Sequence, residues 1–173
     1  RRACCPSRSR LHAMDDDVDI LDREVKLFII KLSRESLSGE QARREQEIML
    51  FSDNLENIGD VIDKNLMELA KKKIKGGLKF SKEGMEEIRD LHKKVIENYQ
   101  MGIAAFTSSD TELARRLITH KQKMTELERD PRQAHISRLS KGHKESIDTS
   151  AIHLDVLTNL KRINSYITNA AYP

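Results

Sequence analysis

Val18, Leu21, Val25, Phe28 and Leu32 recur at alternating steps of three and four, the period that draws one apolar stripe along an α-helix. The stripe begins after Asp15 and predicts a first helix ending near Leu37. Ser38 and Gln41 then have the spacing of a capping box, in which each side chain satisfies the backbone N–H of the other. Beyond them Ile48, Phe51, Leu55, Ile58, Ile62, Leu66 and Leu69 sustain a seam up to Gly76 and Gly77, so the second helix is long.

Ser81 is placed to cap a third helix, whose seam is Ile88, Leu91, Val95, Tyr99, Ile103 and Phe106. Ser109 and Glu112 repeat the capping-box spacing at the next start. The fourth helix runs through Leu113, Leu117, Met124, Leu127, Ile136 and Leu139, and Pro131 predicts a kink or a split within it by removing a backbone donor. Gly142 ends that segment, and Ile152, Val156, Leu160, Ile163 and Ile167 carry a last helix towards Tyr172 and Pro173.

Short turns between long helices force antiparallel neighbours. The expected fold class is therefore all-α, an antiparallel bundle of about five long helices forming one domain over 15–173. Residues 1–14 are basic and show no periodicity, so they are expected to be a disordered lead-in or linker. Charged residues make up 34% of the chain and aromatics 4%, which fits solvated helices and excludes a sheet protein.

The 31 basic and 28 acidic side chains nearly cancel, so no nucleic-acid partner is expected. Cys4 and Cys5 are adjacent, which suits neither a disulfide framework nor a spaced metal cluster and points to a reducing compartment. No apolar run approaches the ~20 residues a membrane-spanning helix needs.

Candidate chemistry is concentrated on the second helix, where Asp53, Glu56, Asp60 and Asp63 recur at steps of three, four and three beside the seam. Like charges so placed repel by a few tenths of a kcal/mol per pair. Reflecting the first helix through the turn near Ser38 sets Asp22 at about the level of Leu55 and Asp19 at about that of Ile58. Carboxylates gathered from facing helices hold magnesium, manganese or iron in bundles, and the cation relieves their repulsion. The metal candidates are Glu56 and Asp60, with Asp53 and Asp22 behind them, and the ion is divalent or ferric. A solvated acidic face stands beside that reading.

The histidines at 92, 120, 135, 143 and 153 lack the paired spacing of a zinc site and are assigned no role. No nucleophile, base and acid grouping, no phosphate-binding glycine loop and no Glu-x-x-His pair is present, so the chain is not expected to be an enzyme. The lysines at 71, 72, 73 and 75 close the second helix, where cations complement its dipole. LENIGD at 55–60 echoes LKRINS at 160–165, a weak internal duplication in which Lys161 and Ser165 replace the acidic pair.

LENIGDVID at 55–63 resembles the PhoU family's helix motif, in which a Glu and an Asp four positions later bind metal. IHLDVLTNLKRINSYITNAAYP at 152–173 is similar to the closing segment of the PhoU-like domain of bacterial sodium/phosphate cotransporter-family proteins. The resemblance covers roughly residues 15 to 173 and implies a PhoU-like bundle, metal at Glu56 and Asp60, and non-catalytic control or coupling of phosphate transport. The implied partner is a membrane transporter half, in the same chain or separate, with a homodimer as a further assembly. The implied location is the cytoplasmic face of the plasma membrane. A stand-alone PhoU-type regulator and a plain helical interaction module are the alternatives.

Overall fold

The computed structural model describes residues 8–108, 110–120 and 144–170, and among these every regular element is helical. Helix α1 (Arg8–Leu32) begins well before the expected start, so 8–14 is helical where a disordered lead-in was expected. The reason lies in the stripe itself: Leu11, half-buried, and Met14 continue the spacing of Val18 and Leu21 towards the N-terminus. At its other end α1 stops at Leu32 rather than near Leu37. There the Ser33 N–H still donates to the Ile29 carbonyl at 2.8 Å, but the next two N–H groups turn to tighter partners, Arg34 to Lys31 at 3.3 Å and Glu35 to Leu32 at 2.9 Å, and the helix ends in a turn.

Ser38 and Gln41 form the predicted capping box at the start of α2 (Gly39–Asp60). The long second helix is one rod built in three parts: α2, a π-helical turn (Val61–Leu66), and α3 (Met67–Lys75). The π turn begins directly after Asp60 and carries Asp63, the last residue of the acidic stripe, and such turns are frequent at functional positions. Gly77 closes the rod at φ 62°, a conformation that only glycine adopts freely, while Leu78 N–H bonds back to the Lys73 carbonyl at 3.0 Å.

The Ser81 hydroxyl accepts from the Gly84 N–H at 3.1 Å and so caps α4 (Lys82–Ser108), as expected. At the next start Ser109 lies outside the described residues, and Asp110 caps the helix. Its carboxylate accepts from the N–H groups of Glu112 at 2.8 Å and Leu113 at 3.1 Å, and α5 follows over 111–120. Pro131, Gly142 and Tyr172 lie outside the described residues. Helix α6 (Lys144–Ala170) completes the bundle.

The core is formed by Ile58 and Val61 from the rod, Leu91 and Val95 from α4, Leu117 from α5, and Leu157, Leu160, Ile163 and Ile167 from α6. Burying each such side chain contributes about 2 kcal/mol. Phe51 stacks on Phe106 with centroids 3.7 Å apart, and Arg44 lies over the same ring, tying the start of α2 to the end of α4. Helix α1 packs along α2 and the π turn, beside this core.

Candidate functional site

Three contacts fix the register of α1 on the rod. Ser52 donates to Asp22 at 2.8 Å, Asp15 lies against Gly59, and His12 Nδ1 is 3.1 Å from Asp63. Asp22 thus meets the rod about one turn before Leu55, because α1 ends early and the link at 33–38 takes up the difference. Gly59 makes the approach feasible, since a Cβ there would sit 2.7 Å from Asp15 Oδ1.

This register gathers oxygen donors from both helices. Single carboxylate oxygens of Asp15, Asp19 and Asp60 all lie within 4.8 Å of one another, and His12, Asp15 and Asp63 form a second such group that shares Asp15. Asp15 is only 7% exposed, and its Oδ1 is buried without a hydrogen-bond partner. Burial, followed by the negative charges of Asp19, Asp63 and Asp60, holds its carboxyl above the ordinary range. Glu56 is raised in the same way, by burial and then by Asp60, Asp19 and Asp22.

The four residues singled out in the sequence divide into two sets. Asp60 belongs to the donor group and Glu56 borders it, sharing its electrostatic strain. Asp22 and Asp53, by contrast, are bridged by Lys26 at 2.6 and 2.7 Å, and their hydrogen bonds hold its ammonium well above the usual lysine value. A resident side-chain cation therefore already offsets half of that pair's charge. Asp60 has a partial counter-ion in Lys64, which it contacts one turn along the rod.

Asp15 and His12 were not anticipated as donors, because both fall at the edge of, or within, a segment read as unstructured. The spacing of Asp15 and Asp19, one helical turn apart, and a glycine within the opposing seam at 59 were the available signals. Chemically, an all-carboxylate set with one histidine at its margin suits a hard or borderline cation, which would cancel the repulsion and occupy the orphaned Asp15 oxygen.

The matching place in the second half is neutral. Asn164, which stands in LKRINS where Gly59 stands in LENIGD, accepts from Asn98 Nδ2 at 2.8 Å, and Asn98 Oδ1 lies 3.1 Å from His120 Nδ1. His153 is buried, with Nε2 at 3.2 Å from both Glu87 and the Gly84 carbonyl. Phe80 meets its ring edge-on. The lysine run behaves as ordinary helix-end chemistry, Lys71 pairing with Glu68 at 3.3 Å and Lys73 lying over Phe80.

Comparison with known proteins adds to this geometry. A Salmonella typhimurium LT2 protein named as an inorganic phosphate export protein, YjbB, is 35% identical over 162 residues, which are 94% of this chain and 30% of that protein. The Escherichia coli K12 protein of the same name is 33% identical over the same lengths. The chain thus spans about a third of the length of these relatives. A Thermotoga maritima protein named phosphate-specific transport system accessory protein PhoU homolog 1 is 28% identical over 160 residues, 90% of this chain and 66% of its own length. No solved structure gives a significant match. Residues 88–172, which begin within α4, match the family model described as the PhoU domain, just under half of the chain.

Proposed function

We propose that this chain is a non-catalytic regulatory or coupling domain for phosphate transport, and that it holds a divalent or ferric ion between α1 and α2. The observation that carries the metal assignment is the buried, unpartnered Asp15 oxygen, set among Asp19, Asp60 and Glu56. Asp15, Asp19 and Asp60 are the donors, with Glu56 completing the set by rotamer change. Bound there, the ion would lock α1 onto the rod and make the hairpin's shape depend on metal supply.

The transport assignment draws on the PhoU domain and on relatives named for phosphate export and for accessory function in phosphate-specific transport. In this reading the partner is a membrane transporter half, and the domain works at the cytoplasmic face of the plasma membrane. No helix among the described residues is long and apolar enough to cross a membrane, so the transporter half is a separate piece of polypeptide, whether in the same gene product or another. A sodium/phosphate cotransporter-type half fits the YjbB relatives, each of which is more than three times as long as the stretch matched here. A stand-alone regulator is favoured instead by the extent of the Thermotoga match, 66% of a PhoU homolog.

Radiolabelled phosphate flux tests the reading, in cells carrying the full gene with the wild-type residues or with Glu56→Ala and Asp60→Ala. A change in net flux at equal protein abundance is expected. Identical flux in the two strains would overturn it. Co-purification of the chain with a membrane half encoded elsewhere would select the stand-alone form.

A further inference from the structure

From Ala70 to Lys82 the chain holds six lysines, at 71, 72, 73, 75, 79 and 82, and no acid. Only Glu68 and Glu83 flank them, so this one segment carries more positive charge than the net +3 of the whole chain. The fold concentrates that charge. Gly77 at φ 62° and the Leu78 N–H bond to the Lys73 carbonyl turn α3 back into α4, which leaves the lysines on a convex tip. Lys71 is paired with Glu68 and Lys73 covers Phe80, whereas Lys72, Lys75, Lys79 and Lys82 are exposed. Helix dipoles do not account for the excess, because the end of α3 carries about −0.5 charge and the adjoining start of α4 about +0.5. Among these lysines stands Ile74, 79% exposed, more than any other large apolar side chain among the described residues.

We propose that this tip docks on the surface of an anionic bilayer, with the four exposed lysines against headgroup phosphates and Ile74 in the acyl boundary. Lysines on flexible stems meet mobile headgroups without fixed partners, and each adds to the attraction. A convex tip with one apolar side chain offers no groove to a peptide, which argues against a protein partner in extended or helical form. The acidic group around Asp60 does not oppose the contact. Asp60 lies about 20 Å along the rod from Lys75, more than twice the screening length of about 8 Å at physiological salt. The rod then stands end-on to the membrane. This inference rests on the membrane-face location proposed above and specifies the contact that makes it.

Co-sedimentation of the chain with phosphatidylcholine vesicles, with and without phosphatidylglycerol, tests this, and circular dichroism confirms that each variant is folded. No transporter is present in the vesicles, so failure to bind here and an unchanged phosphate flux in cells are separate results. Binding is expected only to vesicles containing phosphatidylglycerol, and it weakens as salt rises. Lys75→Gln lowers the partition coefficient about fivefold, and changing all four exposed lysines to Gln lowers it by about a few hundredfold. Lys93→Gln, at an exposed position farther along α4, leaves it nearly unchanged. The chain has no Trp, so Ile74→Trp supplies a single reporter whose emission shifts to the blue on the anionic vesicles. Absence of binding to those vesicles overturns the proposal, as does binding that survives the loss of all four lysines. Displacement by inorganic phosphate, where chloride of equal ionic strength has no effect, would assign the lysines to a free anion and overturn it equally.

Discussion

The two halves of the molecule solve the same packing problem with opposite chemistry. Where α1 crosses the rod, Gly59 admits Asp15 into a group of carboxylates that repel one another and leave a buried oxygen unpaired. At the corresponding place, Asn164 of α6 meets Asn98 of α4 and His120 of α5 in a neutral chain of hydrogen bonds. The second arrangement is satisfied as it stands and stabilises the bundle. The first is strained as it stands, and that strain is what supports the cation proposed there. The PhoU domain match begins at residue 88 and so covers the satisfied half.

The sharpest way to break this contrast is to remove the neutral chain. Asn98 is 2% exposed and bonds on both sides, so Asn98→Leu strands Asn164 and His120 without partners. Unfolding free energy measured by urea titration is expected to fall by about 2–3 kcal/mol. The equivalent change in the acidic half has the opposite sign. Asp15→Asn keeps the shape and removes a buried like charge, and the metal-free protein is expected to gain about 1 kcal/mol.

Acid should sharpen the contrast further. The carboxyls of Asp15 and Glu56 take up protons more readily folded than unfolded, because their native values are raised. Their destabilising effect is complete above the raised values and is relieved as pH falls through them towards the ordinary carboxylate range. Thermal melts of metal-free protein should therefore show rising stability as pH drops from neutral into that window. Asp15→Asn combined with Glu56→Gln should flatten this dependence. A rise that persists in the double variant would place its source elsewhere.

The smallest effect is expected at Lys26, which joins Asp22 to Asp53 across the hairpin while itself 36% exposed. Lys26→Met should cost about 0.2–1 kcal/mol, with the loss disappearing at high salt. The same substitution frees Asp22 and Asp53, so any new weak cation binding in that variant would report a second set of ligands.

Much of this architecture is legible in the sequence because helices write their faces at fixed spacing. The Ser38–Gln41 box, the Ser81 cap and the Gly77 stop stand where the pattern puts them, and Leu91, Val95, Leu160 and Ile163 are in the core. Glu56 and Asp60 were identifiable because they lie on one helix. Asp15 and His12 were not, since their role depends on how far α1 slides along the rod, and periodicity leaves translation undetermined. That slide is fixed by the Ser52–Asp22 hydrogen bond and by the missing side chain at Gly59. The π turn has no sequence signature at all, and the cap at Asp110 is placed to within a residue or so that propensity does not decide.

The central claim is that the acidic half binds a cation and the neutral half does not. Isothermal titration of metal-free protein with manganese, ferric and zinc ions measures this directly, on wild type, on Glu56→Ala with Asp60→Ala, and on Asn164→Ala. Saturable binding is expected in wild type, with its loss in the acidic double variant and its retention in Asn164→Ala. Absence of binding in wild type, or equal binding after both acidic residues are removed, would contradict it.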